Sequence, residues 1–171
     1  MDIKIMLDFV APSVRNAVLE AAKQLERLGI RYAIAGGLAV GTYGYIRNTT
    51  DVRFLVGDEA FEHHGSLVTF KTGVPIQVGG IRIDYLSTTS LGSHLEDVLD
   101  QPPRNEGFAV VPLEALVYMK LVARRRKDQV DVIELIKLGA NVQAIQLYLE
   151  QHGSDLLPFF NLLLQEAEQE S

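Results

Sequence analysis

Apolar residues at Val14, Ala17, Val18, Ala21, Ala22, Leu25 and Leu28 recur at intervals of three and four. That spacing lays them along one face of a helix over 12–28, which Gly29 ends. The period then changes. Residues 30–35 form a short apolar run that predicts a buried strand, 38–43 predict a short helix behind a glycine pair, and 51–56 predict a second strand. Gly57 and Asp58 open a polar connection in which 59–64 are expected to make a helical turn carrying His63 and His64. Neighbours on a helix diverge by about 100°, so these histidines are read as solvent-exposed and not as joint metal ligands.

Residues 67–70, 76–78 and 81–86 alternate or run apolar and predict a meander, with Gly79 and Gly80 suited to a hairpin turn. A helix is expected over 90–99, stopped by Pro102 and Pro103, then a short strand over 108–111. Pro112 starts a helix with an apolar face of Leu113, Leu116, Val117, Leu121 and Val122, which continues or bends into another over 128–138. The tail carries leucine-rich helical segments at 142–149 and 156–164, with Asn141 and Ser154 as caps. They read as a bundle or hairpin covering the sheet. The exposed alternative is an interface with a second copy or another protein, since the second segment is richer in apolar residues than one narrow stripe requires. The class is therefore α+β: a core over 1–111 and a helical part over 112–171 packed on it.

The chain of 171 residues suits one domain, or one domain with a helical appendage. With no cysteine it has no disulfide framework, zinc-thiolate site or thiol chemistry. Acids interrupt the apolar N-terminal run, which lacks the form of a signal peptide. No apolar stretch approaches the ~20 residues that span a bilayer. A cytoplasmic protein is the expectation. A net charge of −6 and a pI near 5.2 argue against a broad nucleic-acid surface. The single basic run, 124–127, is either a solvated helix end or a local contact to RNA or nucleotide phosphate.

Candidate chemistry concentrates in 35–56, AGGLAVGTYGYIRNTTDVRFLV. Gly36 and Gly37 follow a strand and open a helix, a place where backbone can approach an anionic group such as a triphosphate. Asp51 and Arg53, two apart on a strand, share a face. Asp84 lies on a strand that can sit beside them. The G-x-G-x-x-G, Walker-type, G-x-S-x-G and H-E-x-x-H motifs are absent.

The glycine pair, then Arg47, Thr49, Thr50, Asp51 and Arg53, then Asp84, then a lysine-bearing helix with KDQVD, resembles the nucleotidyltransferase superfamily that shares the palm fold of polymerase β. It is similar in particular to the small bacterial branch related to abortive-infection toxins, over roughly 31–138. The resemblance implies a nucleotidyltransferase-like mixed sheet with flanking helices, and a nucleoside triphosphate held by Gly36, Gly37, Arg47, Thr50 and Arg53. It implies Mg²⁺ on Asp51 and Asp84, with Asp84 alternatively activating the acceptor, and Lys120 reaching phosphate. Asp128 and Asp131 would be accessory, and the acceptor would be RNA or protein, in a toxin-type enzyme. One position departs. Where the family has a second carboxylate this chain has Arg53, and a guanidinium has no acceptor with which to ligate a cation. The expectation is therefore nucleotide binding with impaired or altered transfer, and an active Mg²⁺-dependent transferase is the alternative.

Overall fold

The structure, a computed structural model, describes residues 2–171. It opens with a short helix that periodicity does not announce, α1 (Ile3–Asp8), whose Ile3, Met6 and Leu7 are buried. It can dock because Gly41 has no side chain: a Cβ there would lie 2.3 Å from Met6 Sδ. Helix α2 (Pro12–Arg27) buries the face read from its spacing. Then follow β1 (Tyr32–Ile34), α3 (Gly36–Thr42) and β2 (Val52–Val56).

The connection after β2 differs from expectation. In place of a helical turn over 59–64, a 3₁₀ turn at Asp58–Ala60 leads into β3 (Phe61–His64), which pairs antiparallel with β4 (Leu67–Phe70). His63 and His64 are exposed, on a strand, and so point to opposite faces. β5 (Gln77–Val78) and β6 (Ile81–Ser87) make the hairpin, and Gly79 and Gly80 carry it at φ 56° and 81°.

The single helix expected over 90–99 is broken into α4 (Thr88–Leu91), a 3₁₀ turn at Ser93–Leu95 and α5 (Glu96–Asp100). Gly92, at φ 153°, makes the break. The strands β7 (Arg104–Asn105) and β8 (Phe108–Ala109) are short. Pro112 is the N-cap of α6 (Leu113–Ala123), and left-handed Arg124 separates α6 from α7 (Arg126–Lys137). The chain ends in α8 (Val142–His152) and α9 (Leu157–Glu170).

The main sheet has the order β1-β2-β6-β5, with β2 antiparallel to β1 and parallel to β6. Val110 bridges to Ile34 on the outer side of β1. The molecule is α+β, a mixed sheet with flanking helices and a C-terminal helical segment. α8 packs on α6 and α9 on α7. Ile145, Leu149, Leu156, Phe160, Leu163 and Ala167 join one continuous core with the sheet. Phe160 is fully buried, so much of the apolar excess of this tail is spent within the chain. Among the described residues no helix is long and apolar enough to cross a membrane.

Candidate functional site

Parallel pairing of β2 with β6 sets Arg53 directly opposite Asp84. Side chains opposite one another project to one face, and Arg53 Nε lies 3.7 Å from Asp84 Oδ2. The other carboxylate oxygen, Oδ1, is 2.8 Å from Arg82 Nε, so Asp84 is flanked by guanidinium groups on both sides. Asp51 lies just before β2 on the Arg53 face, a strand step away from the position opposite Asp84. Asp51 and Asp84 thus share a face without sitting across from one another.

The glycine pair forms the floor beside them. Gly36 is at φ 64°, and a Cβ there would come 3.2 Å from Arg53 Cβ and Cδ. A Cβ on Gly37 would lie 2.9 Å from Thr49 Oγ1 and 3.2 Å from both terminal nitrogens of Arg47. The glycines are therefore what lets Arg47, Thr49 and Arg53 lie flat against the start of α3.

The far wall comes from α6 and α7. Lys120, expected to reach phosphate, is instead only 5% exposed, with Nζ 3.0 Å from Asp128 Oδ1 and 2.8 Å from Asp131 Oδ2. Both aspartates are fully buried. Arg47 donates from Nε and Nη2 to Asp131 at 2.7 and 2.8 Å, and Arg125 donates from Nε to Asp128 at 2.8 Å. Asp128 and Asp131, placed by sequence as accessory residues, are the centre of this network. Burial pushes the Asp128 carboxyl up, but the bond from Arg125 and the charge of Lys120 outweigh it and hold the group below its usual range. The bond to Asp131 likewise raises Arg47.

Between floor and wall is a cleft of about 170 Å³ lined by Gly37, Arg47, Asn48, Thr49, Thr50, Asp51, Arg53, Lys120, Arg125 and Lys127. Of the residues expected at the site, the cleft brings together Gly37, Arg47, Thr50, Asp51, Arg53 and Lys120, while Gly36 and Asp84 are not in its lining. Arg125 and Lys127, from the basic run read as a solvated helix end or a phosphate contact, also line it. Lys127 makes no ion pair among the described residues. Burial lowers its pKa, and the charges of Arg125, Arg53 and Arg47 lower it further against the opposing pull of Asp51. Cations crowded at that density favour a multiply charged anion.

The cleft fits a magnesium centre poorly. Among the described residues no three histidine, aspartate or glutamate side chains are grouped so as to hold a metal. Both oxygens of Asp84 face guanidinium groups, leaving Asp51 as the lining carboxylate in cationic surroundings.

No protein-family model matches the chain. No curated protein matches it either. Among solved structures it is similar to an antigenic nucleotidyltransferase-like protein from Paracoccidioides brasiliensis, at 18% identity over 86% of this chain and 89% of that one, with a TM-score of 0.43.

Proposed function

We propose that the protein binds the polyphosphate of a nucleoside triphosphate in this cleft, on a nucleotidyltransferase-type fold whose metal-dependent transfer Arg53 has impaired or altered. The observation that carries the reading is the Arg53–Asp84 pairing. It sets a positive charge beside the carboxylate that would otherwise meet a cation, and Arg82 is ion-paired at 2.8 Å to the other oxygen of that carboxylate. The rest of the cleft supports anion binding. Arg47 and Arg125 are each anchored through Nε and Nη2 to a buried aspartate, which leaves the Nη1 donors outside those carboxylate bonds, that of Arg47 held only by a long bond to the Asn48 carbonyl at 3.5 Å. Arg53, held to Asp84 by one loose contact at 3.7 Å, can turn to a phosphate oxygen at little cost. Lys127 supplies a point charge, and the Thr50 hydroxyl a neutral donor. Lys120 touches no ligand in this scheme and pairs with both anchoring aspartates, at 3.0 Å to Asp128 and 2.8 Å to Asp131.

Calorimetry with a non-hydrolysable ATP analogue, with and without Mg²⁺, tests the reading. The expected result is binding that does not need Mg²⁺ and falls about tenfold in Arg53→Asp, equivalent to ~1.4 kcal/mol. Absence of binding overturns it. Mg²⁺-dependent binding together with labelled nucleotide transferred to RNA or protein would make the chain an active transferase instead.

A further inference from the structure

Past Ile83 the main sheet has an open edge. β6 pairs with β2 from Ile83 to Ser87 on one side, but on the other β5 reaches only Ile81 and Arg82. One more bond follows, from Ile83 N–H to the Ile76 carbonyl at 3.1 Å. Successive residues of a strand turn their backbone groups to alternate sides, so Tyr85 and Ser87 face the same way as Ile83. Among the described residues no strand pairs with them there.

A trough of about 540 Å³ runs along this edge, with Tyr85, Leu86 and Ser87 on one bank and Phe61, His63 and Val68 of the β3–β4 hairpin on the other. The hairpin bank is apolar apart from His63, and Phe61 within it is half-buried. Val68 is 55% exposed and Phe70 43%, while the Phe70 ring lies 5.4 Å from Phe61 and 5.6 Å from Tyr85. An apolar strand face beside free backbone donors and acceptors is a standing invitation to strand pairing.

We infer that the trough receives an extended segment of a partner protein, added as a strand to the edge of β6. The backbone groups identify the occupant: the N–H and C=O of Tyr85 and, two residues on, the N–H of Ser87, whose carbonyl caps α4, match an extended polypeptide, which neither an aliphatic ligand nor a stacked base matches. The hairpin bank sets the composition, alternating apolar side chains toward Phe61 and Val68 with polar ones outward. Asp58 sets the charge. It lines the trough and accepts from Ser87 Oγ at 3.3 Å and Thr89 Oγ1 at 2.6 Å, in a chain of net charge −6, so the segment carries a lysine or arginine at that end. None of the cationic cleft residues is needed, so the inference stands apart from nucleotide binding.

The test is selection from a displayed library of random decapeptides on the full chain, followed by amide exchange with each enriched synthetic peptide. Enriched peptides should alternate apolar and polar residues. They should slow exchange at Tyr85 and Ser87 by about tenfold while leaving Leu86, whose N–H faces β2, unchanged. Methylating alternate peptide nitrogens should weaken binding about tenfold, and so should Val68→Asp, an exposed position whose change leaves triphosphate binding intact. Failure to enrich any peptide, unchanged exchange at Tyr85 and Ser87, or equal binding of the N-methylated peptides each overturns the inference. Dimerisation abolished by Val68→Asp would assign the edge to a second copy of this chain.

Discussion

Asp131 and Asp84 are each set between cations, yet one is sealed beneath α6 and α7 and the other lies on the open face of the sheet. Asp131 is fully buried, with Arg47 at 2.7 Å and Lys120 at 2.8 Å. The Asp84 side chain is 24% exposed, with Arg82 at 2.8 Å and Arg53 at 3.7 Å. Water screens the second arrangement and not the first. The same pairing of charges therefore does different work: the buried acid fixes where Arg47 stands, and the open one leaves Arg53 exchangeable. Glu59 is as open as Asp84, its side chain 30% exposed, but it is held more closely, bonded by Arg31 Nε at 2.8 Å and Nη2 at 3.0 Å.

Removing the buried acid gives the largest effect. Asp131→Ala leaves Lys120 without one of its partners and Arg47 without its anchor, and should cost about 3–5 kcal/mol in urea unfolding. A cost below ~1 kcal/mol would erase the distinction between the settings. Next is Gly37→Ala, which drives a Cβ against Thr49 and Arg47 and should lower stability by about 1–3 kcal/mol. Triphosphate affinity should fall with it; an unchanged thermal midpoint would show that the floor can give way.

Acid titration reads the Glu59 pair. The bond from Arg31 holds Glu59 at about 2, below its ordinary 4.5. Its stabilising contribution is complete above pH 4.5 and is lost as pH falls through 2. The stability gap between the unmutated chain and Glu59→Gln, about 1–2 kcal/mol after allowance for exposure, should close across that window. A gap constant with pH would mean that Arg31 does not hold Glu59 ionised. The smallest effect belongs to the open pair: Arg53→Gln should shift unfolding by less than ~1 kcal/mol, and a loss as large as that of Asp131→Ala would place Arg53 in the structural set.

Much of the fold follows from local pattern. The burial of α2, the strand before the glycine pair, the turn at Gly79 and Gly80 and the tail helices all obey spacing within a few residues. The cleft was legible too, as far as Gly37, Arg47, Thr50, Asp51, Arg53 and Lys120 go. What escaped depends on contacts distant in sequence. Helix α1 is too short to show a period and exists because Met6 covers Gly41. The 61–64 segment became a strand because 67–70 returns beside it. In the sequence Lys120 looks like a surface lysine, but α6 is buried from Ala115 to Leu121, and the bend at Arg124 folds Asp128 and Asp131 back onto it.

The register of β2 on β6 also bears on how the chain folds. These strands are about 30 positions apart, so their pairing must close a long loop, while the β3–β4 hairpin inside that loop can form on its own. A slip of one residue would carry Arg53 or Asp84 to the face where Phe54 is fully buried, stranding a charge in the core. In the correct alignment the opposite charges meet. A pair that adds little to the finished protein thereby still favours the aligned register over a slipped one.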